Sequence, residues 1–208
     1  WARSVGCWAG CCGEWPGKVD GLMRELDPLR TKLREHLLTH AVRTGDFVLK
    51  SGRKSNWFID GKQTVCTPEG IQLVADIILN EINGIDAMGG LTMGADPVAY
   101  GVSALAAARG QKIRSFSVRK ESKDHGVEGR IAGALRKGDR VAITEDVVTR
   151  GVSPLEAAEA VRAFGAEPVM IISVVDRGGT CEDLAKQAGI SFYALLTAPD
   201  LGFEYEGP

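Results

Sequence analysis

The chain has 208 residues, 44% of them hydrophobic and 25% charged, and a formal net charge of −2. That length suits a single domain with a sizeable core. The near-neutral charge argues against a general nucleic-acid binder, and no apolar run approaches the length of a membrane-spanning helix. The five cysteines, Cys7, Cys11, Cys12, Cys66 and Cys181, form an odd set without zinc-site spacing. They predict reduced thiols and a cytoplasmic protein rather than a disulfide framework.

Residues 1–22 differ from the rest. They carry Trp1, Trp8, Trp15 and three of the cysteines ahead of the first methionine, Met23, and hold no segment that reads as a signal peptide. The expectation is a disordered extension followed by one domain over 23–208. Asp27-Pro28 then opens a helix, since Asp can cap it and Pro suits its first position. Leu29, Leu33, Leu37 and Ala41 share one face of that helix. Phe47 to Asp60 reads as two short strands around a Ser51-Gly52 turn. Thr67-Pro68 starts a second helix with Ile71, Val74, Ile78 and Ile82 as its buried stripe. Ala87 to Thr92 reads as a strand, and Asp96-Pro97 as the cap of an alanine-rich helix ending near Gly110. Lys112 to Arg119 alternates as a strand does, whereas the polar, glycine-punctuated stretch from Ser122 to Gly133 reads as a long loop.

The next stretch carries most of the information. Val141 to Ile143 is a short apolar run of the buried-strand kind, followed by Glu145 and Asp146, the turn Thr149-Arg150-Gly151-Val152-Ser153, and a helix from Pro154 to Phe164 with Ser153 as its expected cap. Pro168 to Val175 reads as a strand, Cys181 to Gly189 as a short helix and Ile190 to Leu196 as a last strand. Alternating strands and helices predict an α/β fold. Its sheet would be open and mostly parallel, with helices on both faces, beside a small N-terminal hairpin hood. Ligands in such folds sit beyond the carboxyl ends of the strands. The loops after Thr92, Arg119 and Asp146 should therefore meet.

A strand, a glycine turn and a helix start form an anion site, because backbone N–H groups converge where the helix dipole is positive. The two acids before the turn cannot bind phosphate, but they suit hydroxyls or a phosphate-bound Mg²⁺. A sugar phosphate meets both needs. The stretch resembles the phosphoribosyl-pyrophosphate (PRPP) motif of type I phosphoribosyltransferases, which implies PRPP binding by Glu145, Asp146, Val147, Val148, Thr149, Arg150, Gly151, Val152 and Ser153. Arg150 and Val152 stand where that motif usually has smaller or more polar residues.

Arg119-Lys120-Glu121-Ser122-Lys123-Asp124-His125-Gly126 places three cations and a histidine in eight residues. A pyrophosphate leaving group needs several donors where charge grows, on a loop that can open and close. This segment resembles the catalytic loop of the orotate phosphoribosyltransferase family. That resemblance implies PRPP contacts from Arg119, Lys120, Lys123 and His125, with Lys120, Lys123 and Asp146 as the catalytic set. Leu49 to Ser55 and Trp57-Phe58-Ile59 match the family's N-terminal hairpin, which assigns Lys50 to PRPP and Phe58 to orotate. Asp176-Arg177-Gly178 matches the place of an orotate-binding arginine, and Thr149 would face the same base. A planar guanidinium suits a carboxylate or a ring carbonyl. Gly94-Ala95-Asp96-Pro97 departs from the Tyr-Lys pair that many members carry there.

The resemblance runs from about Leu26 to Tyr205. It implies Mg²⁺ brought in with PRPP rather than held by the protein alone, orotate and PRPP as small-molecule partners, and a homodimer with shared sites. Nucleic acid and membrane are not expected partners. The alternatives are a regulator that senses PRPP on the same fold, and a transferase acting on another base.

Overall fold

The computed structural model describes residues 25–48, 52, 54–123 and 129–207, with only the backbone of Ser122 and Lys123. The predicted extension over 1–22, and the candidate residues Lys50 and His125, lie outside the described residues. The Asp27 cap forms, its Oδ1 accepting from the N–H groups of Leu29 and Arg30 at 2.9 and 3.0 Å, and α1 follows over Pro28–His40. β1 (Val42–Val48) and β2 (Lys54–Ile59) pair antiparallel as a separate two-stranded sheet. The short α2 spans Lys62–Val65. Thr67 caps α3 (Pro68–Glu81) by accepting from the N–H of Gly70.

The remaining elements are β3 (Ala87–Leu91), α4 (Ala95–Ala108), β4 (Arg114–Lys123), β5 (Gly129–Gly133), β6 (Arg140–Val148), α5 (Val152–Phe164), β7 (Glu167–Asp176), α6 (Cys181–Gln187) and β8 (Ser191–Thr197). The six strands β3 to β8 form one sheet in the order β5-β4-β3-β6-β7-β8. Its pairs are parallel except β4 with β5. β6 lies near the middle, and its alternation divides the core. Ala142 packs with Leu33, Val74, Ile78 and Val102 of α1, α3 and α4. Val141 and Ile143 pack with Ala157, Val161 and Ala185 of α5 and α6 on the other side. Side chains on a strand alternate between faces, so an apolar run is what a two-sided core requires. No helix among the described residues is long and apolar enough to cross a membrane.

The structure differs from the sequence reading at three places. Ser122 to Gly133 is not one long loop, because β4 extends to Lys123 and β5 returns beside it with Val118 opposite Ile131 and Lys123 opposite Gly129. An edge strand is held by backbone pairing and needs little burial, so its polar composition hid it. Ser153 does not cap α5, which begins at Val152 after Gly151 in the left-handed region (φ 76°) and has no side-chain cap. Asp96 does not cap α4 either. That helix starts two residues earlier than expected, at Ala95 after Gly94, and Asp96 Oδ1 accepts instead from the Ser117 hydroxyl at 2.7 Å.

Candidate active site

At the carboxyl end of β6, Glu145 and Asp146 are both buried, at 8% and 5% exposure. Bare backbone walls them in on two sides. A Cβ at Gly94 would lie 2.0 Å from Glu145 Oε1 and 2.5 Å from Asp146 Oδ1, and one at Gly61 would lie 3.0 Å from Asp146 Oδ2. Only glycine allows so close an approach. Asp146 Oδ1 accepts from the N–H of Val147 at 3.0 Å. Lys62 Nζ sits 3.1 Å from Asp146 Oδ2 and 3.2 Å from Asp60 Oδ1. Burial opposes the Lys62 charge, but the Asp146 and Asp60 carboxylates outweigh it and its pKa rises. Burial, with the adjacent Asp146 adding to it, pushes the Glu145 carboxyl up to about 8. A protonated Glu145 can still donate a hydrogen bond.

The turn between β6 and α5 follows directly. Val147 and Val148 project to opposite sides of the sheet, into the two cores. Thr149 is half-buried, Arg150 is exposed and Val152 is 64% exposed. A helix start without a side-chain cap, here after Gly151, offers its first N–H groups to a bound anion. The turn is also clamped from the side. The Arg177 N–H donates to the Val148 carbonyl at 2.8 Å, and the Thr180 hydroxyl donates to the Thr149 carbonyl at 3.1 Å. A Cβ on Gly178 would stand 1.6 Å from that same Thr149 oxygen. The turn after β7 is fixed in its own right, since Asp176 Oδ1 accepts from the N–H groups of Gly178 and Gly179. Burial raises the Asp176 pKa against those two bonds.

Arg177 is buried beside the hairpin. Its guanidinium lies 4.8 Å over the Trp57 ring, and Nη2 donates to the Trp57 carbonyl at 3.0 Å and to Glu206 Oε2 at 2.5 Å. β2 alternates, so Ser55, Trp57 and Ile59 face inward while Phe58, 39% exposed, faces out. Phe58 lines a cavity of about 500 Å³ with Arg43, Phe47, Val48, Asp60 and Gln63. The structure thus brings Thr149 and Arg177 side by side through Gly178, and sets Phe58 on the face of β2 opposite Trp57.

At the sheet edge, Arg119 Nη1 donates to the Gly129 carbonyl at 3.3 Å, and the Arg119 carbonyl accepts from Arg130 Nε at 2.8 Å. Arg130 also pairs with Glu156 of α5. Lys120 is exposed, and the Lys123 backbone pairs with Gly129. Sequence reasoning missed Lys62 and the wall made by Gly94. A signal for Lys62 existed, because Asp60-Gly61-Lys62 follows the hairpin aromatics directly. Nothing local pointed Gly94 at the acids, since that approach exists only across the sheet.

The mostly parallel six-stranded sheet flanked by helices, with its small N-terminal hairpin, is the type I phosphoribosyltransferase fold. No protein-family model matches the chain. The orotate phosphoribosyltransferase of Streptomyces avermitilis is 38% identical to it over 182 residues, which is 86% of this chain and 100% of that one. A crystal structure of Mycobacterium tuberculosis H37Rv orotate phosphoribosyltransferase with Fe(III) dicitrate matches with a TM-score of 0.76 at 33% identity, covering 85% of this chain and 100% of that one. The same enzyme in complex with PRPP matches with a TM-score of 0.71 at 30% identity, over the same shares of both chains. The chain belongs to the orotate phosphoribosyltransferase family.

Proposed function

We propose that the chain transfers the 5-phosphoribosyl group of PRPP to N1 of orotate, forming orotidine 5′-monophosphate and pyrophosphate. The observation that carries this reading is the acid pair Glu145–Asp146, walled by Gly94 and balanced by Lys62, directly beside the uncapped start of α5. Backbone N–H groups over Thr149 to Ser153 hold the 5-phosphate. Glu145 and Asp146 bind the ribose hydroxyls, and a protonated Glu145 is able to donate as well as accept. As the bond to pyrophosphate breaks, positive charge grows on the ribose and negative charge on the leaving group. Arg119, Lys120, Lys123 and His125 neutralise the latter, and Lys50 approaches the same group from the hairpin. Thr149, Arg177 and Phe58 position orotate, whose N1 attacks as pyrophosphate departs.

A divalent cation fits this donor set. Among the described residues no group of three or more His, Cys, Asp or Glu side chains is arranged to hold a metal. Two adjacent carboxylates instead suit the hydroxyls and water shell of an Mg²⁺ ion bound by substrate oxygens. When bound, Mg²⁺ would supply further neutralisation of the pyrophosphate. We also propose a cytoplasmic homodimer with each β4–β5 hairpin serving the neighbouring site. Mixing Lys123→Ala with Asp146→Ala subunits should then restore about a quarter of wild-type activity under two-fold symmetry. Parental activity after confirmed subunit exchange would show that the hairpin serves its own chain.

The function itself is tested by the orotate absorbance change with PRPP and Mg²⁺, run beside adenine, uracil and hypoxanthine. Turnover with orotate alone is expected. Preference for another base, or no turnover, would overturn the assignment.

A further inference from the structure

We propose that Asp96 and Ser117 are positioning residues for the leaving-group half of the reaction, fixing the root of the β4–β5 hairpin against the start of α4; this rests on the role given to that hairpin in the reading above. Three successive residues at the start of α4 face three neighbouring strands. Gly94 faces the acids of β6, where a Cβ would stand 2.0 Å from Glu145 Oε1. Ala95 is fully buried against bare backbone of β3, since a Cβ on Gly90 would stand 2.7 Å from the Ala95 Cβ. Asp96 reaches β4, its Oδ1 accepting from the Ser117 hydroxyl at 2.7 Å. These strands lie side by side in the order β4-β3-β6. The triplet therefore spans the sheet from the acid pair to the strand that carries Arg119, Lys120 and Lys123. It is also the stretch where the sequence departs from the Tyr-Lys pair of many family members.

The link at β4 is directional. Tyr100 Oη lies 2.6 Å from Ser117 Oγ. The single Ser117 hydroxyl hydrogen goes to Asp96, so Tyr100 donates to Ser117. The Ser103 hydroxyl donates to the Ile113 carbonyl at 2.8 Å, just ahead of β4. Asp96, Tyr100 and Ser103 are spaced i, i+4 and i+7, so they share one face of α4. Apolar burial holds a helix on a sheet without direction. Hydrogen bonds demand a distance and an angle, so these three fix where along the helix the strand lies. Ser117 is 6% exposed, and water competes little for its hydroxyl. It stands two residues before Arg119, and an offset at Ser117 passes directly into the hairpin. A hairpin is aimed by its root, whichever site its tip serves. The opposing idea is that the bonds only hold α4 to the sheet, so that losing one costs stability and leaves the chemistry untouched.

The test is a double-mutant cycle between Asp96 and Lys123, read by steady-state kinetics with both substrates varied. In the wild-type background Asp96→Ala should lower kcat about tenfold, the scale of one hydrogen bond to a charged group, with both KM values little changed. Asp96→Asn keeps an oxygen acceptor for Ser117 and should lose less, while Ser117→Ala should match Asp96→Ala. Either variant keeps the proposal testable if Asp96→Ala does not fold. If Asp96 acts through the hairpin, its loss matters less once a hairpin cation is gone. In Lys123→Ala the same substitution should therefore change kcat by less than about twofold. A tenfold fall in both backgrounds overturns the proposal, because it places the effect of Asp96 elsewhere. An unchanged kcat in the wild-type background also overturns it, and a lower Tm there would leave the bonds a structural role. A wild type that prefers another base overturns the functional reading alone, and the same cycle on that base decides this proposal. No turnover with any base overturns both.

Discussion

The β6–α5 turn and the β4–β5 hairpin serve the same substrate in the proposed site, yet they are built in opposite ways. The turn hangs from a central strand buried on both faces, and its acids are nearly inaccessible. Its carbonyls are clamped by the Arg177 N–H and the Thr180 hydroxyl, and Lys62 pairs with Asp146. The hairpin is an edge structure held by ladder bonds and by Arg130 to Glu156, and Lys120 stands in solvent. The contrast matches two tasks. The phosphoribosyl part keeps its 5-phosphate and hydroxyls through the reaction, so its contacts can be preset. The pyrophosphate gains charge only as it leaves, so its contacts matter most in the transition state.

Variants can break this contrast. Lys123→Ala should have the largest effect, lowering kcat by about 10²–10³ while the PRPP KM changes little. A near-normal kcat, measured by initial rates, would return the hairpin to a merely solvated charged segment. Gly94→Ala should act on the preset side. The added Cβ displaces both acids, and misplacement on the order of 1 Å costs roughly 10²-fold. There the PRPP KM should rise as kcat falls, with Tm from calorimetry checking that the fold survives. Lys62→Met should raise the PRPP KM about tenfold, the scale of one hydrogen bond to a charged group, and Lys62→Arg should recover part of it. Equal PRPP KM values across wild type, Met and Arg would remove Lys62 from the site.

Two smaller effects sharpen the same comparison. The Glu145 pKa is raised from 4.5 to about 8, so between those values the folded state binds a proton that the unfolded state has released. Stability of the substrate-free protein should therefore fall as pH rises from about 4.5 to about 8, and level off above that. Lys62 and Asp146 are the charged groups facing Glu145. Thermal melts of Glu145→Gln should show a flatter pH dependence, and an unchanged slope would mean that Glu145 is ionised throughout. The smallest effect belongs to Arg150→Ala. This side chain is exposed, where solvent screens a cation, so the PRPP KM should move by less than about threefold. A larger shift would place Arg150 on the phosphate.

What could be read from the sequence follows the same division. The β6–turn–α5 unit is contiguous, so apolar run, acids, glycine and helix appear in order in the chain. The caps at Asp27 and Thr67 were visible because capping is local. The cap expected at Ser153 fails because the helix starts two residues earlier, after Gly151, and a left-handed φ cannot be distinguished by composition from an ordinary turn. β5 was hidden because an edge strand with half-exposed residues has no burial pattern to display. Lys62, Gly94 and Glu206 owe their placement to neighbours across the sheet or far along the chain. Side-chain type alone does not carry that information.

The Arg177–Glu206 pair also bears on the order in which the protein can mature. During synthesis the chain emerges N-terminal part first. The acids and the phosphate turn are present once residue 153 has been made, whereas the guanidinium at 177 lacks its carboxylate partner until residue 206. A nascent chain stopped between these points would carry the acids of the proposed sugar-phosphate site without the carboxylate that pairs with Arg177. On a ribosome, the residues of the proposed sugar-phosphate site would thus be made before the Arg177 pair is complete.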